Sequence, residues 1–297
     1  AVRRTGARVL HAHNIHPTFG WRALAAARAA GARVVLHLHQ YRLVCAVGVC
    51  FTGGAECTRC HGRNTLPGVL RNCRGSRPES LLYAASLAIW QRRIAAGADA
   101  FAVPSEFAVR RLRELGAPIG EPRVVPHPLR EIADGPRPAP DGYALFAGRL
   151  EPEKGLDVAV AACRAAGVQL HVAGEGSMRA RFDGAPGVTF HGFVDRERLA
   201  RLRAGAAIAL IPSRFAETFG FAAAEALAAG LPVAASRVGA LPEIVPEECL
   251  VAPGDPHALA DAIARIRGDR SLAERGLARV RERTAGAADA LASVYSS

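Results

Sequence analysis

Lysine is all but missing from this chain of 297 residues: of 38 Lys and Arg, 37 are arginine and Lys154 is the single lysine. Methionine is as scarce, with Met178 alone. No apolar run approaches the ~20 residues that a membrane-spanning helix needs, which excludes a polytopic membrane protein. The longest apolar patch, Leu81 to Trp90, has only helix length and leaves peripheral association with a membrane surface open. No block of like charge underlies the net charge of +11. The arginines are scattered through an Ala-rich chain, a compositional bias that weakens any reading of the basicity as a nucleic-acid footprint. Short-period repeats and low-complexity tracts are absent. Half of the residues are apolar, which at this length supports one large or two medium domains and argues against disorder. The chain opens without Met, and a polar helix-like stretch runs straight into the strand-like Arg8 to His13. A fragment or processed chain is therefore expected, and the lack of a signal peptide is uninformative.

What is present is an alternation of short β-like runs with Ala/Leu/Arg segments of helix length, the pattern of parallel sheets covered by helices. In the first half it predicts strands near 7–13, 32–38, 100–103 and 122–126, with helices near 18–30, 79–97 and 105–116. An irregular insert, 43–78, holds five cysteines. The Pro- and Gly-rich stretch from Ala133 to Gly142 admits neither helix nor ladder and reads as a linker. Beyond it, strands are predicted near 143–147, 168–173, 187–190, 206–211, 232–235 and 249–251. Helices near 154–166, 195–204, 219–229 and 255–268 separate them. The expectation is an α/β chain of two Rossmann-like domains, 1–135 and 136–297.

Two stretches carry chemistry. Gly148-Arg149-Leu150-Glu151-Pro152-Glu153-Lys154-Gly155 lies where a strand ends and a helix begins, the place where open α/β sheets bind ligands. Arg149 offers a planar fork of donors and Lys154 a mobile point charge, a pair suited to a diphosphate. A solvated strand-to-helix turn is the plain alternative, but a lysine kept in an arginine-biased chain tilts the reading to function. The second stretch, Pro212 to Glu225, is again a strand end entering a helix. Thr218, Phe219 and Gly220 would present helix N-terminal amides to a phosphate. Glu217 and Glu225, eight residues apart, would be ~12 Å apart on a helix. That is too far for one acid/base pair and suits a grip on two hydroxylated rings flanking a diphosphate. Glu225 stands among alanines, where a buried carboxylate would need a partner.

These motifs, with Val172-Ala173-Gly174-Glu175-Gly176 and Phe190-His191-Gly192-Phe193-Val194 between them, resemble the donor domain of retaining glycosyltransferases of the family-4 type (glycosyl transferases group 1). His37-Leu38-His39-Gln40-Tyr41-Arg42-Leu43-Val44-Cys45 and Val103-Pro104-Ser105-Glu106-Phe107 are similar to segments of the same family's first domain. The resemblance covers essentially the whole chain, except that the family's opening βαβ portion has no counterpart. It implies a GT-B fold with two Rossmann-like domains facing across a cleft, the first, acceptor-side domain incomplete. It also implies a nucleotide-sugar donor and retention of configuration through same-face attack assisted by the departing phosphate. Arg149 and Lys154 would neutralise the diphosphate, so that no metal or other cofactor is required. Glu217 would hold hydroxyls of the transferred sugar and Glu225 the ribose. Backbone groups of His191, Gly192, Phe193 and Val194 would meet the base, with Gly148 and Thr218 to Gly220 near the phosphates and sugar. His39 would approach the sugar from the first domain. Gln40, and His127 within Val125-Pro126-His127-Pro128, depart from the family pattern. The acceptor would be a glycan, a lipid-linked molecule or a small molecule, in a cytoplasmic and membrane-peripheral setting without specific nucleic acid. Transfer is expected to require the absent opening segment.

His11, His13 and His16 with His37 and His39 raise the question of a metal. Strand alternation puts His11 with His13, and His37 with His39, on common faces, so a multi-histidine site is geometrically allowed. No carboxylate or cysteine accompanies them at a recognisable spacing, and cleft-lining or satisfied core histidines are the preferred reading. Cys57-Thr58-Arg59-Cys60 has the gap of a zinc knuckle, which Cys45 and Cys73 would complete as a structural zinc site, against disulfide or idle-thiol alternatives. Cys163 and Cys249 read as core. The rival to an enzyme is a non-catalytic, zinc-bearing basic module that binds nucleic acid or anionic surfaces.

Overall fold

The computed structural model describes residues 2–14 and 20–296; His16 lies outside them. The chain divides into two compact units, residues 1–127 with 286–297 and residues 128–285.

The first unit is built on a four-stranded sheet. Its strands are β1 (Val9–His13), β2 (Arg33–His37), β5 (Ala100–Val103) and β6 (Arg123–Val124), parallel and in the order β1-β2-β5-β6. Between β2 and β5 the insert forms a two-residue antiparallel hairpin, β3 (Phe51–Thr52) with β4 (Ala55–Glu56), and a short helix, Leu66–Leu70. The helix Arg77–Ala96 supports it. Ser76 caps that helix by accepting from the Glu79 amide, and Pro78 falls in the first turn, where a missing N–H costs nothing. From its buried face, Gln91 donates to the carbonyls of Leu43 and Gly62, both at 2.8 Å, and the Tyr83 hydroxyl to that of Arg42 at 2.9 Å. The insert's loops thus borrow order from a helix that follows them.

The second unit carries six parallel strands: β7 (Tyr143–Ala147), β8 (Leu170–Ala173), β9 (Val188–Gly192), β10 (Ala206–Ile211), β11 (Val233–Ser236) and β12 (Leu250–Val251). Their order is β12-β11-β10-β7-β8-β9. All six residues of β10 are buried, as expected of a central strand covered on both faces. The order reverses between β7 and β10, and that switch point is where a doubly wound sheet opens a crevice beyond its carboxyl ends. Asp195 and Asp255 cap the helices Arg196–Ala204 and Pro256–Ile266, accepting from amides at 2.8 to 3.0 Å.

Two features differ from the sequence expectation. The Pro/Gly stretch is pinned to the second unit, because the amides of Ala133, Arg137 and Ala139 donate to the carbonyls of Ala228, Gly230 and Ala206 at 2.7 to 2.9 Å. The division accordingly falls at 127/128, not at 135/136. The last helix, Ala287–Ser296, belongs to the first unit, where Val294 packs in one core with Val35, Ala102 and Val125. Among the described residues no helix is long and apolar enough to cross a membrane.

Candidate active site

The two loops that leave β7 and β10 at the switch point are locked to each other. Gly155 has φ +73°, and a Cβ there would stand 2.1 Å from the carbonyl oxygen of Pro212, so only glycine lets the loops approach this closely. The Arg214 amide donates to the Glu153 carbonyl at 2.8 Å, and its guanidinium pairs with Asp157 at 2.8 Å. Glu217 is fixed from behind: its carbonyl accepts from the Ala240 amide at 2.8 Å, and Gly239, with φ +60°, backs onto its peptide.

This framework brings Lys154 Nζ to 2.8 Å from Glu217 Oε1, the same oxygen that accepts from Ser213 Oγ at 2.8 Å. The Lys154 and Glu217 side chains are 20% and 11% exposed, so the pair sits in the wall and not on the surface. The ammonium also stands 4.6 Å from the centre of the Phe215 ring. Arg149 pairs with Glu153 at 2.9 Å but remains 61% exposed, open to a ligand. Across the mouth, Arg203 holds Glu225 at 2.5 Å. The helix Phe221–Ala228 begins after Gly220, which takes φ +84° as its N-cap. Its first turn directs the positive end of the helix toward the same space.

Gly148, Arg149, Lys154, Phe193, Val194, Glu217, Thr218, Phe219, Gly220 and Glu225 all line one cavity of about 520 Å³. His191 and Gly192 do not line it. The His191 ring turns to His171, with Nε2 3.1 Å from Nδ1, and the Gly192 carbonyl is taken by the Gly174 amide at 2.8 Å. Glu225 is exposed, not buried as its alanine-rich setting implied, and its partner is Arg203. Residues 217–220 form a turn outside the helix, so a helical rise does not measure the spacing between the two carboxylates. Three charged or polar wall residues were given no role from the sequence: Ser213 and Glu175, which lie within the quoted motifs, and Arg203, which lies outside them. Arg203 is one of four arginines in its helix and carries no distinguishing signal, whereas Ser213 stands four residues before Glu217 at the same strand end.

His39 lies in the first unit among other histidines. Its Nε2 is 2.6 Å from His13 Nδ1 and its Nδ1 is 3.2 Å from His127 Nε2. Cys45, Cys57, Cys60 and Cys73, the set expected to hold zinc, line one small cavity together with Cys50. Among the described residues, the groups of three or more potential ligands that close on one point are all histidine. The loop Tyr41–Cys50, closed by the Tyr41 amide on the Gly48 carbonyl at 2.9 Å, sets Cys50 beside Cys45. A hydrogen bond from Cys50 holds the Cys45 thiol down to about 6. Cys73 turns to Thr52 Oγ1 at 3.5 Å.

A doubly wound parallel sheet with cations, a carboxylate and a helix N-terminus at its switch point defines a Rossmann-type α/β protein. Residues 141–269 match the family Glycosyl transferases group 1, and residues 1–128 match the Glycosyl transferase 4-like domain. The chain is 37% identical over 194 residues to a GDP-mannose-dependent alpha-(1-6)-phosphatidylinositol dimannoside mannosyltransferase of Mycobacterium tuberculosis, covering 59% of this chain and 50% of that protein. It is 36% identical over 163 residues to a glycogen synthase of the same species, covering 50% and 39%. The chain thus spans about half or less of the curated relatives it matches. Among solved structures, sucrose-phosphate synthase from Thermosynechococcus elongatus superposes with a TM-score of 0.68 at 25% identity, over 98% of this chain and 73% of that one. HepE from Anabaena, in complex with UDP-glucose, gives 0.64 at 18%, over 98% and 81%. The chain belongs to the group 1, family-4 type glycosyltransferases, of the GT-B fold class. The rival basic binding module is not favoured, since both halves match glycosyltransferase families.

Proposed function

We propose that the protein transfers a sugar from a nucleotide-sugar donor to an acceptor hydroxyl with retention of anomeric configuration. The second unit is the donor half and the first the acceptor half. The observation that carries the reading is the Lys154–Glu217–Ser213 set at the switch point, with Arg149 open beside it and a helix N-terminus aimed at the same cavity. Lys154 and Arg149 place two positive charges where a diphosphate leaves, and preorganised charge in a partly dry wall stabilises the departing group without a metal ion on it. Glu217, fixed by three neighbours, is acceptor-only when ionised and suits hydroxyls of the transferred sugar. Glu225 with Arg203 suits the ribose, and Phe193, 86% exposed at the rim, offers a face to the base.

In the reaction, the bond from the anomeric carbon to the phosphate oxygen breaks and its electron pair stays with the diphosphate. The acceptor oxygen bonds to the same face, and its proton passes to the departing phosphate. His39 is the residue proposed for the first unit's share of catalysis. The acceptor classes that fit are a glycan, a lipid-linked molecule or a small molecule. The exposed Leu66, Leu70, Leu81, Leu82 and Ile89, interleaved with Arg71, Arg77, Arg92 and Arg93, support work at a membrane surface.

Thermal-shift measurement with a panel of nucleoside diphosphates and their sugars tests the reading. At least one diphosphate should stabilise the second unit, and its sugar conjugate should do so more. A panel in which nothing shifts the transition overturns it.

A further inference from the structure

The first unit gathers five imidazoles at the carboxyl ends of its parallel strands. Pairing of β1 with β2 sets His13 opposite His37, His11 lies two residues back on the same face, His39 follows β2, and His127 follows β6. Sequence spacing offered no third strand's ligand; the fold supplies it in His127. One ring nitrogen from each of His37, His39 and His127 lies within 4.8 Å of the others.

We infer that His37, His39 and His127 form a binding site for one divalent transition metal of the zinc, cobalt or nickel class. Three geometric facts carry this. His37 is 4% exposed, yet among the described residues its Nε2 has no hydrogen-bond partner, so a buried lone pair or N–H stands unsatisfied beside the other rings. His39 Nδ1 and His127 Nε2 stand 3.2 Å apart. Two imidazole nitrogens sharing a tetrahedral zinc, each at ~2.0–2.1 Å, lie about 3.3 Å from each other. The far nitrogens are already held: His37 Nδ1 is 3.2 Å from His11 Nε2, and His39 Nε2 is 2.6 Å from His13 Nδ1. His11 Nδ1 in turn meets the Tyr295 hydroxyl at 2.8 Å. That is the outer-shell arrangement that orients ligating histidines and fixes their tautomers.

The electrostatics agree with the geometry. Burial, then the neighbouring imidazoles, push His37 down to about 2 and His39 to about 3, and burial with His13 pushes His127 to about 4. All three are neutral near pH 7, the form that ligates, so a metal need displace no proton from imidazolium. The three rings are stacked with interplanar angles of 15° to 23°. Occupancy therefore requires rotation about Cβ–Cγ to turn the in-plane lone pairs onto a common point, with His11 and His13 following so that their contacts to His37 and His39 are kept. Three histidines leave the fourth position open, and a softer all-thiolate site is not what this set resembles. Because His39 becomes a ligand, metal occupancy withdraws it from the role proposed above.

Titration of the chelator-treated chain with Co²⁺ tests the inference, and as a binding measurement it is independent of sugar transfer. We expect visible d–d absorption that saturates at one ion per chain, without the intense near-ultraviolet thiolate band that the five insert cysteines would give. Zn²⁺ should displace the Co²⁺. His127→Asn, at a loop position, and His37→Ala should each abolish saturation while thermal unfolding confirms a folded first unit. His11→Asn should weaken binding by about ten- to a hundred-fold, the usual cost of an outer-shell partner. Saturable binding that survives His127→Asn and His37→Ala, a thiolate band in its place, or no absorption from the folded parent chain would each overturn the site.

Discussion

Replacing Lys154 with Ala perturbs two things at once, and the structure separates them. The ammonium is one of two cations facing the proposed diphosphate, and it also neutralises Glu217 at 2.8 Å in a wall where that carboxylate is 11% exposed. A charged hydrogen bond contributes ~1.5–3 kcal/mol. At about 1.4 kcal/mol per decade, nucleoside diphosphate binding should weaken roughly ten- to a hundred-fold. The stranded carboxylate, left with the Ser213 hydroxyl, should lower the stability of the second unit by ~1–3 kcal/mol. Glu217→Gln should behave oppositely in binding. It removes negative charge beside the diphosphate and releases Lys154, so affinity for the bare diphosphate should rise while sugar transfer falls. The double variant should recover stability relative to Lys154→Ala, giving a favourable coupling in the cycle. Calorimetric titration and urea unfolding of the four proteins are the assays. Equal weakening of diphosphate binding by Lys154→Ala and Glu217→Gln, or additive stability losses, would refute the reasoning that Lys154 serves both the carboxylate and the ligand.

Phe193→Ala should weaken nucleotide binding by ~1–3 kcal/mol, the range of base stacking on an aromatic ring, with no loss of stability because the ring is 86% exposed; calorimetry and thermal unfolding read both. Gly155→Ala should destabilise the second unit by more than about 1 kcal/mol, since it forces both a left-handed backbone and a Cβ against the Pro212 carbonyl, and urea unfolding measures it.

The strands of both sheets were legible because buried parallel strands are apolar runs bounded by turn residues, and β10, buried throughout, is the clearest. The helix Arg270–Ala285 was passed over: its arginines blur the apolar stripe of Leu272, Leu277 and Val280 that faces the core. The linker was misplaced because Pro and Gly announce irregular backbone but not what that backbone is bonded to. In the cavity, Lys154 and Glu217 stood out through rarity and setting, while Arg203 was hidden among its own kind. Cysteine spacing points to four residues that do line one small cavity, whereas spacing alone does not bring in His127, which lies 88 residues beyond His39 and meets it only through the fold.

The return of the last helix to the first unit has a consequence in time. The core of Val35, Ala102 and Val125 is completed by Val294, and Arg33 donates to the Val294 carbonyl at 3.0 Å across 261 residues of chain. On the ribosome, where folding proceeds from the N-terminus, the second unit can therefore close before the first is finished. Until residues 287–296 emerge, the sheet face that carries Val35, Ala102 and Val125 lacks the helix that covers it, so the unit whose strands are made first is completed by residues made after the second unit.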